Sequence, residues 1–161
     1  MTDVKAIPQS SIDPDVTAGV AQFLALVVID LEAVVVNGKQ LHWHVRGKNF
    51  QEVHELLDLI VEHALQYADD AAERIVALGL PVDARISTVA AKATVPEIGD
   101  GFTQSDQTIA AAIAQLDAVL KSVKTAVEEL AELDPVSQDV AIEISRGLEK
   151  DRWFLFAHLS K

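Results

Sequence analysis

No cysteine occurs among the 161 residues. This excludes a disulfide framework, a thiolate nucleophile and any Cys-ligated zinc or iron–sulfur site. A bound metal must therefore sit on His, Asp or Glu, and hard or borderline cations are the candidates. Aromatic residues make up only 5%, and 7 Gly with 5 Pro supply few turns, whereas half of the chain is hydrophobic. That combination argues against an all-β sandwich and for an all-α chain. Positive charge is short as well: 13 Lys and Arg stand against 25 Asp and Glu, a net charge of -12. Such a balance repels nucleic-acid phosphates and anionic membranes and attracts cations. The opening MTDVKAIPQSSIDPD has neither a basic n-region nor an apolar h-region, so no secretory signal is read there and cytoplasmic residence is expected. The most apolar stretch, residues 23–36, is cut by Asp30 and Glu32. Its longest uninterrupted run falls far below the roughly 20 residues that a spanning helix needs, so no membrane segment is expected.

A chain of this length is expected to form one domain with one core. Asp13-Pro14 pairs an N-cap residue with a proline at the first helical position, and Val16, Val20, Phe23, Leu24, Val27, Leu31, Val34, Val35 and Leu41 follow at three- and four-residue spacing. The periodicity predicts a long first helix to about His44, overriding the β-propensity of its valines. Val45 to Asn49, with Gly47 inside, reads as a tight reversal. A second helix is expected from about Phe50 to Leu78, stopped by Gly79-Leu80-Pro81. Residues 79–102 hold most of the remaining breakers, with room for a short helix around Thr88 to Ala93. Extended, they reach about 80 Å, enough to cross a 30-residue helix of about 45 Å. A third helix, capped by Ser105 or Thr103, is expected to reach Leu133, and Asp134-Pro135 starts a fourth that ends near Leu159. The expected fold is all-α: a four-helix bundle at residues 13–161, with a long crossover between helices 2 and 3 as in ferritin-like bundles. Residues 1–12 are expected to form a mobile tail.

The residues able to do chemistry lie around the first helix pair. His54 and Asp58 are four positions apart and share one face of the second helix, as do Asp69 and Glu73. Along one helix His54 and Asp69 are about 22 Å apart, too far to bind one ion together. The two pairs are, however, mirror-placed about the midpoint between His63 and Ala64, and the intervening turns leave them pointing the same general way. Two such helices packed antiparallel on a twofold axis would bring His54 and Asp58 of one chain level with Glu73 and Asp69 of the other, giving two identical sites. The hairpin places His42 level with His54 as a second imidazole, while His44 lies about 200° around the helix from His42 and is expected at the surface or beside the site. Two histidines with three carboxylates suit Fe(II) or Mn(II), with Zn(II) possible. The Glu-x-x-His pairs of an intrachain di-iron bundle are missing, because Lys39, Leu41, Gln51, Ile60 and Leu155 precede the five histidines by three positions.

Two segments, HWHVRGKNFQEVHELLD from His42 to Asp58 and ADDAAERIVALGLP from Ala68 to Pro81, resemble the Dps family of ferritin-like mini-ferritins. The resemblance runs over nearly the whole chain. It implies that His42, His54 and Asp58 of one subunit and Asp69 and Glu73 of its twofold neighbour form a ferroxidase site, and Trp43 matches the family's tryptophan after the first histidine. It further implies a hollow dodecameric shell, built from twofold dimers, that oxidises Fe(II), preferably with hydrogen peroxide, and stores the Fe(III) product without any organic cofactor.

Between Thr125 and Ser145 there are six acidic residues and no basic one. Three of them, Glu128, Glu129 and Glu132, crowd a helix C-terminus, where the helix dipole disfavours anions. In similar proteins this junction surrounds threefold pores that admit iron, which makes Asp134, Asp139 and Glu143 the expected pore residues. Glu55 and Glu62 are candidates for seeding mineral in a cavity. Family members that bind DNA usually do so through a lysine-rich tail. Residues 1–15 here hold only Lys5 against Asp3, Asp13 and Asp15, so DNA binding is not expected. Two other functions compete with iron storage: non-catalytic DNA compaction, and metal-dependent hydrolysis of amides by a water bound at an open metal position.

Overall fold

Both Asp-Pro pairs start helices. In the computed structural model, which describes residues 9–159, the Asp13 carboxylate accepts from the Asp15 N–H at 2.8 Å ahead of α1 (Pro14–His44). The chain continues through β1 (Val45–Arg46), α2 (Phe50–Ala77), α3 (Ile86–Lys92), β2 (Thr103–Gln104), α4 (Ser105–Leu130) and α5 (Pro135–Leu159). Four long helices and a short one in the crossover match the expected all-α, ferritin-like bundle. The expectation of a mobile tail at residues 1–12 falls, for residues 1–8, outside the described residues. Within the described part, Gln9 lies against Gly79 and Ile12 packs on the core.

Packing is set by the helical stripes: α1 lies against α2 and α4, and α5 closes the bundle against α4 and α2. Val20, Leu24, Leu31, Leu57, Leu116 and Leu148 are fully or almost fully buried where these stripes meet. An 18-residue window of α1 reaches a mean hydropathy of 2.1, which by length and composition is apolar enough to cross a membrane, and half of it is buried inside the bundle. A tight fit joins α1 to α2, where Gly38 faces Val61 and leaves no room for a Cβ.

Four features differ from the sequence reading. The third long helix begins at Ser105 behind Gln104 with no side-chain cap, so neither Ser105 nor Thr103 caps it. The third long helix stops at Leu130 rather than Leu133, and the Leu133 and Asp134 N–H groups both turn back to the Leu130 carbonyl. A proline at 135 disfavours helical backbone at the residue before it. The reversal at 45–49 is also more than a turn, since β1 pairs in parallel with β2, Val45 opposite Thr103 and Arg46 opposite Gln104. The short strand thereby pins the far end of the crossover beside the hairpin. Inside the bundle, Asp30 is fully buried. It accepts from the Thr94 N–H at 2.6 Å, the Thr94 hydroxyl at 2.8 Å and the Ser122 hydroxyl at 2.6 Å, tying the crossover to α1 and α4. The interruption of an apolar run by Asp30 was the only sequence signal for this anchor.

Candidate metal centre

Two imidazoles meet where α1 ends and α2 begins. His42 is 6% exposed, and its ring stacks on that of His54 with centroids 3.5 Å apart and planes 21° from parallel. Each Nδ1 bonds the other residue's backbone carbonyl: His42 Nδ1 to His54 O at 2.8 Å, and His54 Nδ1 to His42 O at 2.9 Å. A carbonyl oxygen only accepts, so both Nδ1 atoms donate, and Nε2 is the nitrogen whose lone pair is left for a metal in the neutral ring. Metal-ligating histidines are typically held this way, with the second nitrogen donating to a carbonyl or carboxylate.

Asp58 lies one turn further along α2, its Oδ1 3.4 Å from His42 Nδ1. The same oxygen accepts from Lys39 Nζ at 2.5 Å, and that hydrogen bond holds the Asp58 carboxyl below its ordinary value. Lys39, three positions before His42, was not singled out as a site residue by sequence reasoning, although that spacing places the two on one helix face. Its ammonium stands beside Asp58 as a built-in countercharge.

Asp69 and Glu73 are both exposed on the same helix and are not brought to the histidine pair within the chain. Among the described residues, no group of three or more His, Asp or Glu side chains is arranged to hold a metal ion. One chain thus brings His42, His54 and Asp58 near one another where α1 meets α2, and holds Asp69 and Glu73 as a separate carboxylate pair further along α2. His44 stands apart from the pair, as its spacing predicts, with Nδ1 3.2 Å from Gln40 Nε2 and its ring edge on Phe102.

At the acidic junction, Asp139 and Glu143 are exposed, as are Glu128, Glu129 and Glu132. Asp134 is a correction to the expectation that it lines an opening. It is 7% exposed and caps α5, accepting from the Ser137 N–H at 3.1 Å, from the Ser137 hydroxyl and from Arg74 Nη2 at 2.6 Å. Burial pushes its carboxyl up, but the bonds from Ser137 and Arg74 outweigh burial and leave it below the ordinary value. Its charge is spent within the chain.

The chain matches the ferritin-like domain family over residues 30–161. A solved structure of Dps from Microbacterium arborescens in the high iron form is 55% identical and superposes with a TM-score of 0.91, covering 94% of this chain and 99% of that one. The DNA protection during starvation protein of Mycolicibacterium smegmatis is 38% identical over 125 residues, which is 75% of this chain and 66% of that protein. DNA protection during starvation protein 2 of Deinococcus radiodurans is 32% identical over 138 residues, 86% of this chain and 57% of that protein. The matched region therefore spans less than two thirds of the length of each of these two curated relatives. Bundle, crossover and sequence agree, and the chain belongs to the Dps family of ferritin-like proteins.

Proposed function

We propose that this protein sequesters and detoxifies iron, oxidising Fe(II), preferably with hydrogen peroxide, at centres shared between two chains and keeping the Fe(III) product inside a dodecameric shell. The observation that carries this reading is the His42/His54 pair, stacked with centroids 3.5 Å apart and with each Nδ1 bonded to the other residue's carbonyl, which leaves Nε2 of each ring as the nitrogen to bind a metal. In this reading His42 and His54 hold the Fe(II) substrate together with Asp58, which exchanges its bond to Lys39 for the metal, while the partner subunit's Asp69 and Glu73 complete the ligand set. Imidazole and carboxylate ligands suit ferrous iron. Two ferrous ions supply the two electrons that reduce one peroxide to two waters, with two protons consumed, so no hydroxyl radical is released. The protein contributes ligands, position and a countercharge.

Asp139 and Glu143 stand as the carboxylates that draw cations toward an entrance. Glu55 and Glu62, both exposed on α2, are candidates for seeding mineral. The net charge of -12 leaves no clustered cations for phosphate contacts. Duplex DNA is accordingly not a partner in this reading, and cytoplasmic residence fits the chemistry.

The test is anaerobic loading with Fe(II) followed by peroxide, read by absorbance of the Fe(III) product. Rapid oxidation at about two Fe(II) per peroxide, lost in His54→Ala, is expected. Oxidation no faster than in buffer, or unchanged in His54→Ala, would overturn the reading.

A further inference from the structure

The His42/His54 arrangement depends on where α1 stops. The helix closes with the Val45 N–H on the Leu41 carbonyl, and Val45 itself is extended, with φ -63° and ψ 139°. The carbonyls of the last turn therefore lie beyond the helical ladder and need other donors. One of them, His42 O, accepts from His54 Nδ1. Were α1 to continue by another turn, that carbonyl would also be engaged by a backbone N–H, which would compete with His54 Nδ1 for it.

What holds residues 45 and 46 extended is the crossover. Val45 and Arg46 pair with Thr103 and Gln104, and Phe102, immediately before this strand, presents its ring face to Arg46 with Cζ 3.4 Å from the ring centroid. The same ring meets His44 edge-on, with centroids 5.2 Å apart. Phe102 remains 62% exposed, so burial does not seat it in the chain. The specific contacts are a cation over an aromatic face and a ring edge, and both grip the two residues that flank Val45.

We propose that Phe102, clamped by Arg46 and His44, is a positioning residue for the metal centre: it ends α1 at His44 and so keeps the His42 carbonyl available to orient His54. This rests on the metal-centre reading above. No sequence pattern points to Phe102, which stands 48 positions after His54 and is brought beside His44 and Arg46 by the parallel pairing of the two short strands.

The test uses the full-length assembled protein and Co(II) as the probe, titrated without oxidant and read by its visible absorption. Phe102→Ala is expected to weaken Co(II) affinity about tenfold, the lower end of what loss of outer-shell support costs. It should also raise the Fe(II) concentration for half-maximal oxidation more than it lowers the maximal rate. Phe102→Tyr, which keeps the ring face, should restore both. A purely structural contribution would lower the thermal midpoint and leave the affinity of the folded fraction unchanged. Wild-type affinity in Phe102→Ala would overturn the proposal, as would equal weakening in the distant exposed-site control Val136→Ala. If Phe102→Ala fails to assemble, Arg46→Gln removes the cation while keeping the ring and must show the same weakening. Failure of the underlying reading is separate: wild-type protein would then bind no Co(II), or His54→Ala would bind it normally.

Discussion

His63 on α2 donates from Nδ1 to both carboxylate oxygens of Asp151 on α5, at 3.0 and 2.9 Å. Asp151 is 2% exposed, so a potential charge is buried at the seam between these helices. Burial pushes its carboxyl above the ordinary value, and the bond from His63 pulls it part of the way back. A carboxyl raised in the folded state favours its protonated form. Its contribution to stability is therefore present below its ordinary value of 3.8 and is lost as pH rises through the raised value. Asp151→Asn cannot ionise and escapes that loss. Its thermal midpoint relative to wild type should improve as pH rises above 3.8, where the wild-type carboxyl loses its contribution. Melting curves across pH with a constant offset would contradict this.

Gly38 faces Val61 where α1 crosses α2, and a Cβ on Gly38 would lie 2.7 Å from Val61 Cγ2. Alanine gains about 1 kcal/mol of helix propensity over glycine, but overpacking costs about 1–3 kcal/mol. Gly38→Ala is expected to destabilise the fold, and Gly38→Ala combined with Val61→Ala to recover part of the loss. A double-mutant cycle from denaturant unfolding should give a coupling of about 1 kcal/mol or more. Additive effects would mean that the helices separate to accept the methyl.

Much of this architecture was legible in the chain. Both Asp-Pro starts, the apolar stripe of the first helix and the breaker-rich crossover are local signals, and local signals survive folding. The shared face of His54 and Asp58 was legible for the same reason, because four-residue spacing puts them on one side of α2 whatever the rest of the molecule does. The clamp on Phe102, the Asp30 anchor and the His63–Asp151 pair were not legible. Each joins residues 56 or more positions apart, Phe102 with Arg46, Asp30 with Thr94 and Ser122, and His63 with Asp151. Such pairings depend on helix register in three dimensions. Asp134 shows the opposite failure: its place in an acidic run pointed outward, whereas its helix-capping position turned the carboxylate inward to Arg74.

The exposed carboxylates of Asp139 and Glu143 should concentrate cations at the junction of α4 and α5. Neutralising both, as Asp139→Asn with Glu143→Gln, is expected to slow Fe(II) oxidation at limiting iron by about two- to tenfold at low salt, with the difference shrinking as salt screens the field. Stopped-flow absorbance is the measurement. Equal rates at low salt would remove these residues from the iron path.

The proposed centre is completed by two chains. In His54→Ala every centre loses an imidazole, and in Glu73→Ala every centre loses a carboxylate, so each homodimer alone should be impaired. A dimer with one chain of each variant gathers both lesions in one centre and leaves the other whole, so random pairing should restore about a quarter of the centres. A centre built within one chain recovers nothing, because every chain still carries a lesion. The decisive measurement is peroxide-dependent Fe(II) oxidation by the two co-expressed variants, with mixed dimers verified by mass spectrometry. Activity near a quarter of wild type is the expected result, and activity no higher than that of the better single variant would contradict the shared centre.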